Sequence, residues 1–154
     1  MGWSRRLEAI HIAAAGGEPM RALANARLVA GVGIEGDRYA TGRGKFSAIE
    51  DVREVTLIEA ETLEALARDL DMVLTADEHR RNLTTRGVPL NHLVGKRFRV
   101  GAALLEGGRL NQPCNYLQSV TGKKVREPLL NRAGLNCRII EGGEVRQGDT
   151  ITPE

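Results

Sequence analysis

One cysteine stands where its neighbours favour reactivity. In the stretch 109–117, which reads Arg-Leu-Asn-Gln-Pro-Cys-Asn-Tyr-Leu, Cys114 directly follows Pro113. Proline cannot donate to a strand ladder, so we expect a strand to end before Cys114 and a helix to begin near it. The free N–H groups of a helix start would favour the thiolate. A thiolate serves as a nucleophile, a sulfur carrier or a ligand of a soft metal, and the alternative is a small buried hydrophobe.

Two arginines followed by an asparagine form the second candidate group. Arg80, Arg81 and Asn82 come after Thr-Ala-Asp-Glu at 75–78, whose capping-box spacing predicts a short helical turn that ends near the arginines. Guanidinium groups bind phosphate in a bidentate manner, and a junction of helix and strand would hold one rigidly. Neighbouring strand residues point to opposite faces, so we expect at most one of the two arginines to enter a given pocket. The alternative is a solvated pair.

A glycine-rich segment holds the third candidate group. The stretch 31–36 matches the dinucleotide-binding fingerprint letter for letter, but a loop with two more glycines follows where that motif requires a helix. We therefore predict bends here and no dinucleotide binding. Asp37 and Arg38, which come next, form a charge pair or hold an acidic and a basic group over a pocket. The polar stretch 41–47 is a loop that could cover a site.

The remaining groups match no familiar catalytic motif. The sequence has no CxxC or HExxH spacing for zinc and no Gly-x-Ser-x-Gly turn, and His11, His79 and His92 are most simply structural. A chain of 154 residues needs no disulfide to fold, so both cysteines are interpreted as free thiols. Cys137 falls within a predicted strand. We therefore predict that Cys114 is the reactive thiol of the two.

Composition limits the class of protein. The chain is 42% hydrophobic and 27% charged, as expected of one globular domain over 1–154, and its formal net charge of +2 argues for neither nucleic acid nor membrane as a partner. The N-terminus lacks the apolar core of a signal peptide, and no apolar run approaches the roughly 20 residues of a membrane span. We therefore expect a cytoplasmic protein.

Short strands separated by glycine-rich turns are the elements that must position these groups. In the first strand, Leu7, Ala9 and His11 should share one face. The stretch 23–29 fits a strand or a short helix, and the pair 137–140 and 144–145 has a hairpin signal. Many short strands around two or three helices indicate a mostly β fold, a closed or nearly closed β-barrel with a few peripheral α-helices. Strands are predicted over 7–13, 55–58, 82–85, 98–100, 102–105, 137–140, 144–145 and 148–151, and helices over 60–70 and around 125–130.

Taken together, these motifs resemble the MOSC domain family, named for the C-terminal domain of molybdenum cofactor sulfurase, and most of all its small stand-alone bacterial members. The resemblance covers most of the chain, and it rests on the order and spacing of the motifs. They are Gly-Ile-Glu-Gly-Asp-Arg at 33–38, Val-Thr-Leu-Ile-Glu at 55–59, Arg-Arg-Asn-Leu at 80–83, Leu-Val-Gly at 93–95, Phe-Arg-Val-Gly at 98–101, Pro-Cys-Asn-Tyr-Leu at 113–117 and Gly-Asp-Thr-Ile at 148–151.

The resemblance implies a site for a molybdenum–pterin cofactor. Cys114 would ligate the molybdenum, as in members that reduce N-hydroxylated compounds, or carry sulfur as a persulfide, as proposed for sulfurase-type members. Arg80 would bind the pterin phosphate with Asn82 beside it. Asp37 and Arg38 would line the pocket.

One departure from the family pattern concerns the residues before the Pro-Cys pair. Close relatives often have a second cysteine two residues before that pair, whereas Asn111 and Gln112 fill this stretch here. A mechanism that needs a second local thiol therefore loses support.

Three functions of different classes follow from the resemblance. The first is a molybdenum-dependent oxidoreductase that acts on small N-hydroxylated compounds with an external electron-donor protein. The second is a non-catalytic carrier of sulfur or cofactor, which uses a Cys114 persulfide formed by a sulfur-donor protein. The third is an interaction module with a decayed site. No pyridoxal phosphate is expected, because that chemistry belongs to a separate aminotransferase-like domain. The site would be shallow, or completed by the second subunit of a homodimer.

Overall fold

The chain folds mainly into short strands. The computed structural model describes residues 5–113 and 115–154, so Cys114 lies outside the described residues. The strands are β1 (Arg5–Ile12), β2 (Arg21–Leu23), β3 (Asn25–Val29), β4 (Gly33–Ile34), β5 (Val55–Glu59), β6 (Leu83–Arg86), β7 (Arg97–Val100), β8 (Ala103–Leu110), β9 (Leu135–Glu141), β10 (Gly143–Arg146) and β11 (Thr150–Pro153).

Four short α-helices lie among these strands in the part of the chain that the structure describes. None of them is long and apolar enough to cross a membrane. The helices are α1 (Arg38–Thr41), α2 (Ala60–Leu70), α3 (Ala76–His79) and α4 (Asn115–Thr121), and a 3-10 turn covers Leu90–Leu93.

Seven strands close into a ring, in the order β1, β11, β7, β8, β9, β5, β6 and back to β1. All neighbours in the ring are antiparallel except β5 and β6, which are parallel and are joined through α2 and α3. Strand β2 pairs with the C-terminal end of β1. Strands β3, β4 and β10 form a second, smaller sheet. The prediction of a mostly β fold, a closed β-barrel with peripheral helices, is confirmed.

Two apolar cores hold this arrangement. The barrel interior contains Phe98, Leu57 and Leu135, none of which is exposed. A second cluster joins α2 to the segment after β8 through contacts that include Leu66 and Leu117. Each such side chain contributes roughly 1.5–3 kcal/mol when it is fully buried, so the second cluster anchors the chain next to the Pro-Cys pair.

A β-bulge changes the facing of the first strand. The pairing of β1 with β6 shifts register between Leu7 and Ala9. Leu7 and Ile10 therefore both lie in the barrel core, whereas strict alternation had placed Leu7 on the face of Ala9 and His11. The predicted facing is wrong for Leu7, because an extra residue in the strand reverses the alternation after it.

Two other local predictions are wrong. The strands β9 and β10 do not form a hairpin: β10 pairs with β3, and β9 pairs with β5 and β8. A Cβ added at Gly142 would lie 2.6 Å from the Leu28 carbonyl oxygen, so the chain turns here toward the smaller sheet at a distance that only glycine permits. The region 125–130 forms turns without a regular helix, although Val125 and Leu129 are buried as an apolar helix face would be.

The glycines that match the dinucleotide fingerprint form a hairpin turn. Strands β3 and β4 pair antiparallel with Leu28 opposite Ile34, and α1 begins only after Asp37 and has four residues. At Gly33, with φ +142°, an added Cβ would lie 3.1 Å from the Glu54 carbonyl oxygen. Gly33 thus allows close packing of main chains, and the absence of dinucleotide binding stays a prediction.

Candidate functional site

A cavity of about 300 Å³ lies where the loop 42–54, the junction of α3 with β6 and the segment after β8 meet. Six basic side chains and one acidic side chain line it, so its potential is positive and suits an anionic ligand. Neutral polar groups of Thr56, Asn111, Gln112 and Asn136 also reach it, and the apolar lining includes Tyr39 and Leu117. The charged lining residues are Arg38, Lys45, Arg53, Arg80, Arg81, Arg109 and Asp51.

Arg80 lines the cavity from the end of α3. It is the C-cap of that helix, in a left-handed conformation with φ +64°, and it is only 6% exposed. This conformation costs roughly 1 kcal/mol or more for a residue other than glycine or asparagine. The Arg80 Nη1 donates a hydrogen bond of 2.6 Å to the Glu18 carbonyl oxygen, which fixes part of its guanidinium group.

Asp37 and Arg38 form a buried ion pair beside Arg80. Their Oδ1 and Nη1 atoms lie 3.0 Å apart, and neither side chain is more than 5% exposed. The Asp37 carboxylate also caps α1 by accepting from the Tyr39 N–H at 3.2 Å. Of the two, Arg38 lines the cavity and Asp37 lies behind it. The structure thus brings Arg38 and Arg80 together at one cavity, with Asp37 as a support.

The Asn82 side chain lies beneath the cavity and has no exposed surface. Its Oδ1 accepts from the N–H and from the hydroxyl of Thr56, both at 3.1 Å. Its Nδ2 donates to the His11 carbonyl oxygen at 3.1 Å and to Asp37 Oδ1 at 3.3 Å. The amide therefore joins β1, β5 and the Asp37–Arg38 pair. Asn82 is not among the residues that line the cavity.

Arg81 lines the same cavity as Arg80, contrary to the expectation that at most one of them would do so. That expectation assumed a strand, but Arg80 is a left-handed cap and β6 begins only at Leu83. Arg81 is 8% exposed and is not a solvated side chain. Its Nε donates to the Ala133 carbonyl oxygen at 2.9 Å and its Nη2 donates to Asn111 Oδ1 at 2.7 Å.

A chain of amides continues from Arg81 along the cavity wall. Asn111 Nδ2 donates to Asn136 Oδ1 at 2.7 Å, and Asn136 Nδ2 donates to the Val52 carbonyl oxygen at 2.8 Å. The Asn111 N–H donates to the Gly134 carbonyl oxygen at 2.8 Å. Asn111 lies two residues before the Pro-Cys pair. It therefore ties the segment before Cys114 to β9 and to Arg81.

The outer rim of the cavity holds an exposed carboxylate between two arginines. Asp51 pairs with Arg109 at 2.5 Å and with Arg53 at 3.4 Å. The hydrogen bonds from Arg109 lower the pKa of Asp51 to about 2, so Asp51 is ionised at neutral pH. Two guanidinium groups lie over the Tyr39 ring, with Arg38 Cζ 4.7 Å and Arg53 Cζ 5.7 Å from its centroid.

A neutral histidine underlies the two arginines of this site. His79 is buried, and its Nδ1 accepts a hydrogen bond of 3.0 Å from the Arg81 N–H. Burial and then the Arg81 charge lower the pKa of His79 to about 3. Its ring meets the His11 ring edge-on, with centroids 6.5 Å apart. His79 is therefore an uncharged support, in agreement with its structural interpretation.

The chain on both sides of Cys114 reaches the cavity. Strand β8 ends at Leu110 and α4 begins at Asn115, as the Pro-Cys pair predicts. Gln112 and Leu117, on either side of Cys114, both line the cavity. Cys137 lies in the barrel core with no exposed surface, and burial raises its pKa far above the ordinary value of a thiol. The roles assigned to Cys114 stay predictions.

Several site residues are not predicted by the sequence analysis. Arg53, Tyr39 and Asn136 belong to separate segments, and only the closed barrel brings them together. Arg109 starts the central motif, but a register shift between Gly107 and Arg109 in the pairing with β9 interrupts the alternation there. No local pattern would have indicated that Arg109 reaches the cavity.

No group of three or more histidine, cysteine, aspartate or glutamate side chains that could hold a metal ion occurs within 5–113 and 115–154. The donors that are present, guanidinium groups with neutral amides and a hydroxyl, fit the phosphate and the polar ring edge of a pterin.

The fold and the site together define a closed seven-stranded barrel with a basic cavity beside a Pro-Cys segment. The chain belongs to the MOSC domain family, whose sequence profile matches residues 44–152, well over half of its length. The family is associated with molybdenum-cofactor binding.

Solved structures of similar proteins agree with this fold. The YuaD protein from Bacillus subtilis superimposes with a TM-score of 0.81 at 19% identity, over 99% of this chain and 96% of that one. YiiM from Geobacillus stearothermophilus gives 0.74 at 14% identity, over 97% of this chain and 75% of that one. YiiM from Escherichia coli gives 0.69 at 19% identity, over 97% and 69%. At these identities the similarity shows the fold alone. No curated protein matches this chain in sequence.

Proposed function

We propose that the cavity binds a molybdenum–pterin cofactor and that the protein reduces small N-hydroxylated compounds. The observation that carries this proposal is the convergence of Arg38, Arg80 and Arg81, each under 10% exposed, on one cavity of a MOSC domain. A phosphate monoester suits this cluster of guanidinium groups, because it offers them both negative charge and several hydrogen-bond acceptors. The association of the family with molybdenum cofactor supports the choice of a molybdenum–pterin cofactor as the phosphate-bearing group.

Each residue then has a distinct role. Arg80 binds the phosphate, and Arg38 lies beside it and fixes the main chain of Arg80. Asn82 and Asp37 support this pair from behind and do not touch the ligand. Asn111 and Asn136 are amides that can bond to the edge of the pterin, and Cys114 ligates the molybdenum, since a soft thiolate suits a thiophilic metal.

The reaction removes oxygen from an N–OH group. It takes two electrons and two protons, leaves N–H and releases water, and the electrons come from an external donor protein. The bound cofactor would supply the two-electron chemistry. The chain itself binds and orients the cofactor, and the basic lining favours anionic groups over cations.

The test is cofactor retention. The unmodified protein, Arg80→Ala, Arg80→Lys and the control Arg99→Ala are purified from a cofactor-competent host, and molybdenum and pterin per chain are measured. Arg99 is a matched arginine on β7 that pairs with Glu141 at 3.4 Å and does not line the cavity. A charge-assisted contact is worth about 1.5–3 kcal/mol, so Arg80→Ala should weaken binding about ten- to more than a hundredfold. Arg80→Lys should restore binding only in part, because lysine lacks the planar fork.

Other outcomes would point elsewhere. Unmodified protein without pterin or molybdenum would contradict the proposal. A Cys114 persulfide, formed on incubation with a cysteine desulfurase in protein without molybdenum, would support the sulfur carrier instead. Equal retention in Arg80→Ala and Arg99→Ala would show that Arg80 does not hold the phosphate.

A further inference from the structure

The rim of the cavity holds a carboxylate in the geometry that a ligand anion would adopt. Both oxygen atoms of Asp51 accept from Arg109 Nε at 2.9 Å, and Oδ2 also accepts from Arg109 Nη2 at 2.5 Å. Arg53 Nη2 lies 3.4 Å from the same Oδ2 atom. A planar guanidinium fork that meets a carboxylate in this way is equally suited to the carboxylate of a small molecule.

This ion pair is exposed enough to exchange. The side chains of Arg109 and Asp51 are 42% and 30% exposed. Exposed ion pairs contribute little to stability, because water solvates both partners when they separate. A ligand anion that offers Arg109 the same contacts therefore meets little opposition from Asp51.

The two arginines are held independently of Asp51. Arg109 Nη1 donates to the Leu110 carbonyl oxygen at 3.2 Å. Arg53 donates to the Phe46 carbonyl oxygen through Nη1, and its side chain is only 13% exposed. Its guanidinium group also lies over the Tyr39 ring. Both cations thus stay at the rim when the carboxylate of Asp51 moves away.

We propose that Arg53 and Arg109 form an anion subsite for the substrate, which Asp51 occupies until an anionic substrate displaces it. The substrate class is then a small N-hydroxylated compound that also bears a carboxylate. The N-hydroxyl part of this statement rests on the proposed function, whereas the anion subsite does not. The inner arginines that would hold the cofactor phosphate are a separate group, because Arg80 and Arg38 are joined to each other and not to Asp51.

The subsite predicts a preference that binding measurements can detect. Two probes are compared by calorimetry without an electron donor: para-carboxybenzamidoxime and its neutral match, para-carbamoylbenzamidoxime. The unmodified protein should bind the carboxylate more tightly. Arg109→Gln should weaken binding of the carboxylate about tenfold and leave the carboxamide nearly unchanged. Asp51→Asn should tighten the carboxylate up to about fivefold, because the internal competitor is removed.

The control is Arg99→Gln, which removes an exposed arginine from an ion pair elsewhere and should change neither affinity. Equal binding of the two probes, no binding of either, or weaker binding of the carboxylate to Asp51→Asn would overturn the anion subsite. The same preparations are assayed for molybdenum and pterin. If they contain neither but still distinguish the probes, the proposed function fails and the subsite stands. If the preparations contain molybdenum and pterin but do not distinguish the probes, the anion subsite fails and the proposed function stands.

Discussion

The main-chain carbonyl oxygen of Arg80 accepts a hydrogen bond of 3.0 Å from the Nη2 atom of Arg38. The same Arg38 side chain reaches Asp37 through Nη1 and Met20 Sδ at 3.7 Å. One cavity arginine therefore holds the main chain of the other in its left-handed conformation. The geometry of the basic cavity therefore depends on the Asp37–Arg38 pair as well as on the residues that would touch a ligand.

Removal of the Arg38 cation should be costly. Arg38→Leu leaves the Asp37 carboxylate, which has no exposed surface, without its cation, and breaking a buried pair in this way costs about 3–5 kcal/mol. The double variant Asp37→Asn with Arg38→Leu should recover part of this loss, because asparagine can still cap α1 without a buried charge. Urea denaturation of the single and double variants measures the coupling, and strictly additive losses would argue against a coupled pair.

The left-handed conformation of Arg80 allows its effect on stability to be separated from its effect on cofactor retention. The free energy of unfolding of Arg80→Gly should exceed that of Arg80→Ala by about 1 kcal/mol, because glycine adopts φ +64° without strain. Arg80→Gly should therefore unfold at a higher urea concentration. Both variants lack the guanidinium group and should lose the cofactor equally. A more stable alanine variant would show that the left-handed conformation carries no cost in this context.

The two cysteines should differ sharply in reactivity. Alkylation of the folded protein at neutral pH, followed by mass mapping, should label Cys114 and leave Cys137 unmodified, because Cys137 is buried and its raised pKa keeps it a thiol. Cys137 should react only after unfolding. Labelling of Cys137 first in the folded protein would contradict the assignment.

The amide chain through Asn111 should position the segment before Cys114. Asn111→Ala leaves Arg81 Nη2 and Asn136 Oδ1 without the partners that Asn111 provides, and each lost partner costs roughly 1–3 kcal/mol. We expect lower stability, together with a changed rate of Cys114 alkylation. Asn91→Ala is the control, since Asn91 makes one exposed contact of 2.6 Å to the Asn131 carbonyl oxygen.

Removal of the Arg81 side chain should lower stability in the same way as removal of the Asn111 side chain. Arg81→Ala should destabilise the protein as Asn111→Ala does, because it removes the donor of the hydrogen bond to Asn111 Oδ1 and the bond to the Ala133 carbonyl oxygen. The effect of Arg81→Ala in the Asn111→Ala background should be smaller than in the unmodified protein, since both variants break the same bond. Full additivity would mean that the two residues act separately.

His79 should make stability fall in mild acid. Its pKa is lowered from 6.5 to about 3 in the folded state, so between these values the unfolded chain binds the extra proton. The contribution of neutral His79 is therefore complete above its unfolded pKa and is lost progressively as the pH falls. The free energy of unfolding should drop by about 1–2 kcal/mol from pH 7 to pH 5. His79→Gln should flatten this dependence, and an unchanged slope would contradict it.

The architecture of this protein can be predicted from its sequence more fully than the pairing of its strands can. The apolar runs and glycine turns indicate a barrel, and the capping box at Thr75 and Glu78 predicts α3 with its end at Arg80. The predicted hairpin between β9 and β10 is wrong, because the pairing of β10 with β3 depends on the close approach of Gly142 to Leu28. Such long-range contacts leave no periodic pattern in the sequence.

In the candidate site too, residues of local motifs can be predicted from the sequence, whereas residues that long-range contacts bring together cannot. Arg80, Arg38 and Asp37 belong to local motifs, and the structure brings them together. Arg53 and Arg109 are 56 positions apart in the chain, and only the folded chain brings both of them to the carboxylate of Asp51. The shared cavity of Arg80 and Arg81 could not be predicted either, because it depends on the left-handed conformation of Arg80, which the strand alternation assumed for this pair does not include.

The seam between β1 and β11 has a consequence for synthesis of the protein. Arg5 pairs with Ile151, so the ring of strands closes only when residues from distant parts of the chain meet. Pairings of such high sequence separation form slowly, because the entropy of closing the loop is lost before the contact compensates for it. On the ribosome, strands β1 to β9 emerge before their ring can close. We therefore expect ligand to be loaded after translation, into a barrel that is already complete.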